Sequence, residues 1–286
     1  MAPKSKPLNL EKRILKIVKQ SGTSFYWALR FLPKQKRNAM FAIYAFCRTV
    51  DDIADGIAPL NEKLLQLKKW RDKINKLYNN NPTDLITHAL AQPIQNYNLD
   101  KQDFIAIIDG MKTDSVARLR IHNKAALMVY CDQVACSVGR LSNNIFGIEP
   151  IIGRKIAKYL GEALQLTNIL RDIREDADRD RMYLPRDLLL KHGNNKVVMN
   201  EILKHPGLIG ACEDLEKLNK KRFKQAEDAI KKCETKLIKS PLIMMKIYYQ
   251  LFIRLQHRGW KNFDVPIKMS KILKLWIVVH VLIFKR

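Results

Sequence analysis

The sequence predicts an all-α fold, a helical bundle formed by one domain over residues 1–286. Its apolar residues recur at helical rather than alternating spacing, and its turn-forming clusters are widely separated. No linker rich in glycine, serine or proline and no internal repeat divides the chain. Hydrophobic residues make up 47% of the sequence, which is enough to bury a sizeable core.

The first part of the chain, residues 1–20, is basic and lacks the apolar run of a secretory signal. A hydroxyl-rich stretch follows, in which Ser21 and Ser24 precede the aromatic and apolar run Phe25–Leu32. Such a stretch serves either as a helix N-cap or as an anion site, because the free N–H groups at a helix start attract phosphate. The residues alone leave both interpretations open.

The segment Ala39–Asp55 is predicted to be a strongly apolar helix that ends in an acidic pair. Asp51 and Asp55 are four residues apart and therefore share a helix face. Arg48, one turn before them, could neutralise these carboxylates or bind an anionic ligand. A lone acidic pair of this kind is usually a solvated helix face, so by itself it indicates no site.

The segment Gly161–Pro185 is predicted to be a long helix with an extended exit, and it carries a second acidic pair. Asp172 and Asp176 lie on one narrow stripe with Gln165 and Asn168. The apolar residues that recur at helical spacing are Ala163, Leu166, Ile169, Leu170 and Ile173. Two carboxylates at this spacing repel each other by roughly a few tenths of a kcal/mol. A cation bound on the stripe is therefore the simplest explanation for it.

Two Asp-x-x-x-Asp pairs on separate helices could face each other across a bundle and hold divalent cations. Mg²⁺ suits such a site best, because it keeps several waters and takes one or two carboxylates, with substrate phosphates completing its shell. Mn²⁺ is an alternative ion. We therefore predict a metal site at Asp51, Asp55, Asp172 and Asp176.

Between the acidic pairs, the chain is expected to be mostly scaffold. Residues Pro59–Leu99 contain a charged amphipathic helix, and an apolar helix that includes Asp109 leads to Asp114. We expect a structural role for these two aspartates rather than an extension of the acidic set. The segment Tyr130–Leu141 is predicted to be a helix of small residues, which permits either close helix packing or the close approach of a ligand.

The C-terminal part begins with a basic helix after Pro185, expected in an outer layer, and returns to an apolar helix at Ser240–Gln256. The tail, residues 272–286, contains a very apolar run flanked by lysines and arginine. The run Ile272–Phe284 is too short to span a bilayer, which needs about 20 apolar residues. It could lie at a membrane interface with Trp276 at headgroup level, or form a core helix.

The charge balance points to anionic partners, since 52 Lys and Arg face 28 Asp and Glu and give a net charge of +24. No nucleic-acid-binding signature accompanies this charge, so we expect no nucleic-acid partner. The five cysteines form no C-x-x-C pair and are expected to be reduced thiols. We expect a cytoplasmic protein, with peripheral contact to the inner face of the membrane.

Three motifs resemble those of the squalene/phytoene synthase family, the head-to-head prenyl synthases. They are SGTSFYWALRFLP at Ser21–Pro33, YCDQVACSVGRLSNNIFG at Tyr130–Gly147 and NILRDIREDADRDRMYLP at Asn168–Pro185. Together with the two acidic pairs, they extend the resemblance over nearly the whole chain. The resemblance implies a helical prenyl synthase fold with a central apolar cavity.

The resemblance also implies roles for individual residues. Those expected to bind diphosphate are Ser21, Ser24, Arg48 and Arg171. Gln165 and Asn168 are expected to orient diphosphate or metal-bound water. Those expected to line the prenyl channel are Phe25, Tyr44, Ala135, Val138, Gly139, Leu141 and Leu164. Tyr130 is expected near the reacting carbons and Tyr248 elsewhere in the active site, although Tyr249 leaves that register open by one residue.

The reaction implied is the condensation of two farnesyl diphosphates to presqualene diphosphate, with release of diphosphate. NADPH is not expected, and a separate squalene-forming enzyme would act downstream. A phytoene, dehydrosqualene or squalene synthase of the same family is the enzymatic alternative. A lipid-binding or assembly protein that has lost its metal site is the non-enzymatic one, and the intact acidic pairs argue against it.

Overall fold

The computed structural model describes residues 7–20 and 29–284 and confirms the all-α prediction. The helices are α1 (Pro7–Gln20), α2 (Lys34–Asp55), α3 (Leu60–Tyr78), α4 (Leu85–Tyr97), α5 (Lys101–Asp114), α6 (Lys124–Cys131), α7 (Ser137–Phe146), α8 (Pro150–Asp178), α9 (Arg186–Lys191), α10 (Met199–Lys204), α11 (Gly207–Ile230), α12 (Lys239–Arg258) and α13 (Lys271–Phe284). The segment Asp132–Cys136, between α6 and α7, is π-helical. Two short parallel strands, β1 (Leu119–Arg120) and β2 (Arg181–Met182), complete the described part of the chain.

Helix α8 forms the centre of the bundle and packs against α7, α11 and α12. Pro150 begins it, and the Glu149 carboxylate accepts hydrogen bonds from the backbone N–H groups of Ile151 and Ile152, both at 2.9 Å. The predicted apolar set is buried as expected: Ala163, Leu166, Ile169, Leu170 and Ile173. Because this apolar face packs into the core, the polar stripe of α8 lies on another side of the helix and is available to bind a ligand.

Helix α2 buries its apolar face in the same interior. Phe46, in its centre, is fully buried and meets the rings of Trp70 and Phe104 edge-on at centroid distances of 5.7 and 5.3 Å. This packing orients α2 so that its last turn, which carries Asp51 and Asp55, lies beside α8. The apolar part of each acidic helix thus positions its polar end.

Close backbone approach around α8 requires the small residues of the neighbouring segment. A Cβ atom added at Gly161 would lie 2.8 Å from the Cα of Cys136, and one at Gly139 would lie 3.0 Å from the Cα of Ala157. The small residues therefore serve close helix packing, one of the two roles that the sequence left open. The π-helical turn was not predicted; such turns insert one extra residue and are common at functional sites.

The exit from α8 folds back on itself at Asp180, whose φ of 54° is left-handed. The backbone N–H of Leu119 then donates to the carbonyl of Asp180 at 3.2 Å, and that of Ile121 donates to Met182 at 3.3 Å. This pairing fixes the residues that follow α8 beside the end of α5. The predicted extended exit is therefore a short strand.

Candidate active site

The two acidic pairs line one cavity of about 470 Å³. Asp51 and Asp55 enter it from the last turns of α2, and Asp172 and Asp176 enter it from the last turns of α8. The structure thus brings together two acidic pairs that are 117 residues apart in sequence at their closest, Asp55 and Asp172. This is the arrangement that the metal-site prediction requires.

Arginine side chains contact three of these four carboxylates. Arg48 lies 3.2 Å from Asp51, and Arg171 binds both oxygens of Asp172 at 2.6 and 2.5 Å. Asp55 accepts hydrogen bonds from Arg181 at 2.8 Å and from Arg179 at 3.1 Å. Charge-assisted pairs of this kind hold the carboxylates apart from one another while leaving guanidinium groups at the cavity wall.

The carboxylates of the cavity differ in acidity because their surroundings differ. Burial, followed by the charge of Asp55, raises the pKa of Asp51 to about 6. Burial and then the charge of Asp172 raise the pKa of Asp176 to about 7. Burial also acts on Asp55, but Arg181 and Arg179 outweigh it and lower its pKa. Two carboxylates are therefore short of positive charge.

The donor set fits Mg²⁺, although in the described residues no three carboxylates or imidazoles converge closely enough to enclose an ion alone. Mg²⁺ needs only one or two carboxylates when water and phosphate supply the remaining oxygens. Asn168 adds a further oxygen: its Oδ1 is buried and accepts no hydrogen bond from the described residues. A buried amide oxygen without a partner is costly unless a ligand completes it. Its neighbour Gln165 lies on the same wall.

Asp114, for which the sequence predicted a structural role, also lines the acidic cavity. The hydroxyl groups of Tyr130 and Tyr183 donate to its two carboxylate oxygens at 3.1 and 2.6 Å. Burial raises the pKa of Asp114 to about 6, against the lowering effect of these hydrogen bonds. The other aspartate, Asp109, pairs with Arg71 and Lys112 instead. Tyr130 therefore sits at the cavity with a fixed hydroxyl direction.

An apolar cavity of about 270 Å³ adjoins the acidic one and shares wall residues with it. The shared residues are Tyr44, Cys47, Val134, Val138, Gln165 and Asn168. Of the predicted channel residues, Ala135, Gly139 and Leu164 also line the apolar cavity. Leu141 does not fit the prediction: it is fully buried in the helix core, because Val138 and Ser142 occupy the cavity-facing side of α7.

The structure settles which tyrosine of α12 faces the site. Tyr248 lines the apolar cavity, and its hydroxyl lies within reach of Arg171 and Asn168. Tyr249 is 40% exposed and packs against Phe223, with ring centroids 5.3 Å apart. Burial raises the pKa of Tyr248, which stays a neutral hydrogen-bonding phenol near neutral pH.

A third cavity of about 640 Å³ lies between α8, α12 and the start of α13. It shares Arg171, Asp172 and Glu175 with the acidic cavity and Tyr248 with the apolar one. Lys268 and Lys274 line its far side. Lys268 and Lys274 were not predicted as cavity residues, because the sequence showed them only as charges that flank the apolar run of the tail.

Ser21, Ser24 and Phe25 lie outside the described residues, and their expected contacts with diphosphate and the prenyl chain stay predictions.

Comparison with known proteins gives the family. The family model for squalene/phytoene synthases matches residues 18–272. The chain belongs to the squalene/phytoene synthase family. It is 40% identical over 259 residues to a presqualene diphosphate synthase of Rhodopseudomonas palustris, covering 91% of this chain and 92% of that protein. A presqualene diphosphate synthase of Zymomonas mobilis is 40% identical over 260 residues, covering 91% and 89%.

The fold comparison agrees with this membership. A crystal structure of a dehydrosqualene synthase with bound ligand superposes with a TM-score of 0.82 at 26% identity, covering 97% of this chain and 96% of that one. The resemblance that the three sequence motifs carried is therefore confirmed. So is the helical prenyl synthase fold that it implied.

Among the cavity residues that the sequence did not predict are Arg179, Arg181 and Tyr183. All three lie in the DRDRMYLP stretch, which was recognised as a motif but given no site residues after Asp176. The three residues are spaced two apart, and this spacing does not place them on one face of a helix. Only the pairing of β2 with β1 turns Arg181 toward Asp55 and Tyr183 toward Asp114.

Proposed function

We propose that this chain condenses two farnesyl diphosphate molecules head to head into presqualene diphosphate, releasing one diphosphate and one proton. The observation that carries the proposal is the junction of the acidic cavity with the apolar cavity through a common wall. A prenyl diphosphate has this same division, a charged head and an apolar chain. The presqualene diphosphate synthases that resemble this chain over 91% of its length support the choice of product.

In the acidic cavity, Asp51, Asp55, Asp172 and Asp176 would hold Mg²⁺, with Asn168 supplying an amide oxygen. The ion would supply Lewis-acid stabilisation of the leaving diphosphate. Arg48 and Arg171 lie on the same wall and would donate hydrogen bonds to the diphosphate oxygens. Loss of the diphosphate breaks the bond from oxygen to C1 of the first substrate and leaves an allylic cation.

The apolar cavity would hold the prenyl chains and exclude water from that cation. Ala135, Val138, Gly139 and Leu164 offer no nucleophile along its wall. The double bond of the second substrate attacks C1 of the first, and loss of a proton then closes a cyclopropane ring. Exclusion of water matters because a water molecule would quench the cation to an alcohol.

The second diphosphate, which is retained in the product, needs a different place from the one that leaves. The third cavity is the candidate, since it is lined by four basic side chains, Arg171, Arg174, Lys268 and Lys274, beside four acidic ones, Asp172, Glu175, Asp178 and Asp264. Arg171, Asp172 and Glu175 lie on the wall that this cavity shares with the acidic one and would separate the two diphosphates. We assign the retained diphosphate to this cavity.

Tyr130, fixed by Asp114, would present its ring and hydroxyl to the reacting carbons. Its ring lies against that of Tyr183, with centroids 5.1 Å apart. The electron-rich faces of these rings can stabilise a nearby cation. Burial and the charge of Asp114 raise the pKa of Tyr130 well above its usual value, so it acts as a neutral phenol.

The proposed reaction also implies a downstream enzyme and contact with a membrane, but no need for NADPH. The product is a lipid diphosphate, so a separate squalene-forming enzyme would consume it. NADPH is not required for this half of the chemistry. Contact with a membrane would let the insoluble lipid product enter the bilayer. In the described residues no helix is long and apolar enough to cross a bilayer.

The test is product analysis of the purified protein with farnesyl diphosphate and Mg²⁺, with and without NADPH. Geranylgeranyl diphosphate serves as the substrate control, and chelated protein serves as the metal control. Presqualene diphosphate in both farnesyl reactions would support the proposal. Squalene formed only with NADPH, or phytoene from the longer substrate, would instead identify a sister enzyme of the same family. No turnover of either substrate would favour the lipid-binding alternative.

A further inference from the structure

Helix α13 is apolar on two opposite faces. Ile277, Val278 and Val281 are buried and pack it against the rest of the protein. Five other apolar side chains on the same helix are exposed by between 41% and 81%: Ile272, Leu275, Trp276, Val279 and Ile283. The sequence offered a core helix and a surface helix as alternatives, and the structure shows both characters in one element.

The exposed residues form one continuous stripe. At 3.6 residues per turn, their positions fall within an arc of about 100°, and Val281 lies on the opposite side of the helix. Between Leu275 and Phe284 the sequence contains no charged residue, and His280 stacks on Trp276 with centroids 5.1 Å apart. We call these five exposed side chains the outer stripe. An apolar stripe of this kind on a surface helix marks an interaction site.

The charge around the outer stripe selects the partner. Residues 239–286 contain ten Lys and Arg and a single acidic residue, Asp264. Lys271 begins α13, and Lys268 precedes it by three residues; both are exposed. An apolar helix face beside a row of lysines matches the boundary between the acyl chains and the headgroups of an anionic bilayer.

A second copy of the chain fits this face poorly. It would bring an identical excess of positive charge to the same surface. A stable protein–protein interface also needs about 20–30 residues on each side, whereas the outer stripe has five side chains. The length of α13, 14 residues, corresponds to about 21 Å and is shorter than the hydrocarbon core of about 30 Å. The helix can therefore lie along a bilayer surface.

We propose that the outer stripe of α13 docks this protein onto an anionic lipid bilayer, with Trp276 entering the boundary between headgroups and acyl chains. The proposal deepens the membrane contact proposed above and rests on that function for its purpose. The same helix carries Lys274 on the wall of the third cavity, on the side opposite the outer stripe. Docking through α13 would thus place the site of a retained prenyl diphosphate about one helix diameter, roughly 10 Å, from the lipid phase.

The test is flotation of the full-length protein with vesicles of phosphatidylcholine alone or mixed with phosphatidylglycerol. We expect binding to the anionic vesicles to exceed binding to the neutral ones by at least about tenfold and to weaken as salt is added. The double variant Trp276→Glu/Val279→Glu should reduce anionic-vesicle binding by about tenfold or more. Its matched control is Val129→Glu/Ile151→Glu, which adds the same charge at side chains that are 57% and 60% exposed, and it should bind within about twofold of the wild type.

A second measurement locates the contact. Phosphatidylcholine brominated on its acyl chains, mixed with phosphatidylglycerol, should quench tryptophan fluorescence in the wild type. Because Trp27 lies outside the described residues, the comparison is made in a Trp27→Phe background. There, adding Trp276→Phe should leave vesicle binding intact but remove most of the quenching, since Trp70 and Trp260 are buried.

The docking proposal would be overturned if the wild-type protein did not bind anionic vesicles. It would also be overturned if the Trp276→Glu/Val279→Glu variant floated like the wild type. Sedimentation in the absence of lipid tests whether a second copy of the chain binds the outer stripe instead. A dimer that Trp276→Glu/Val279→Glu converts to monomer would assign the stripe to that second copy. Turnover of detergent-dispersed farnesyl diphosphate should be unchanged in both double variants. Loss of docking is thereby separated from failure of the proposed reaction, which would remove turnover from the wild type.

Discussion

The acidic cavity and the apolar cavity share six wall residues, but their residues have opposite effects on the stability of the fold. In the acidic cavity, burial raises the pKa of Asp51, Asp114 and Asp176, so the unliganded protein holds carboxylates that are unfavourable there. In the apolar cavity, Gly139 and its neighbours belong to the close packing of α7 against α8. The acidic end thus works against stability, while the apolar end is part of what holds the fold together. Substitutions should separate activity from stability in the first cavity and change substrate fit in the second.

The largest effect is expected from removing one carboxylate of each acidic pair. Asp55→Asn and Asp172→Asn should each lower kcat by about a thousandfold, because leaving-group charge would lose its stabilisation. The helical circular dichroism spectrum should stay that of the wild type. Asp228→Asn is the matched control, since Asp228 on α11 pairs with Lys224 and lies outside the cavity walls among the described residues. Full activity in both cavity variants would refute the metal-site assignment.

The next effect tests the apolar cavity. Ala135→Phe should lower kcat/KM for farnesyl diphosphate by about a hundredfold by filling the channel. The shorter geranyl diphosphate should lose much less, and the ratio of the two values is the measurement. Ala106→Phe, on α5 in a groove outside both cavities, serves as the control for added bulk. Equal losses for both substrates would show that Ala135 does not limit chain length.

A smaller effect distinguishes two adjacent tyrosines of α12. Tyr248→Phe should reduce kcat about tenfold, because its hydroxyl is placed to bond with Arg171 and Asn168 at the junction of the cavities. Tyr249→Phe should leave kcat unchanged, since that ring packs on Phe223 at the surface. Steady-state kinetics of the two variants decide the matter, and a larger loss at Tyr249 would reverse the assignment.

The smallest expected effect is on stability. In chelator, Asp176→Asn should raise the free energy of unfolding at pH 8 by about 1 kcal/mol, or Tm by about 2 °C. The sign follows from the raised pKa of Asp176: its folded state binds the proton more tightly, so stability is lost as pH rises from 3.8 through about 7. The advantage of the variant should therefore disappear near pH 4.

The control for this measurement is Asp178→Asn, also at the end of α8 but exposed and paired with Arg174. A surface pair contributes little, so its Tm should stay within about 1 °C of the wild type at both pH values. A variant Asp176→Asn that is less stable than the wild type in chelator would show that the carboxylate is structurally favourable there.

Sequence reasoning reached furthest where a helix repeats its own pattern. The stripe Gln165, Asn168, Asp172 and Asp176 follows from 3.6 residues per turn alone, and the structure places all four on the cavity wall. It was weaker for Leu141, because a helix in a bundle has several buried faces and spacing does not say which one meets a cavity. It also missed Arg181 and Tyr183, whose direction depends on pairing between strands 60 or more residues apart.

The sequence by itself determined the helical class, the two acidic pairs and the family, because each is carried by residues within about one or two helical turns of one another or by contiguous motifs. Only the tertiary structure decided what those residues meet. It placed Arg179 and Arg181 on Asp55, gave Asp114 its two tyrosines and left Asn168 Oδ1 without a partner among the described residues. It also left the outer stripe of α13 exposed, because the opposite face of that helix packs into the core. Contacts between distant segments depend on the packing of the whole chain, and local spacing carries no record of them.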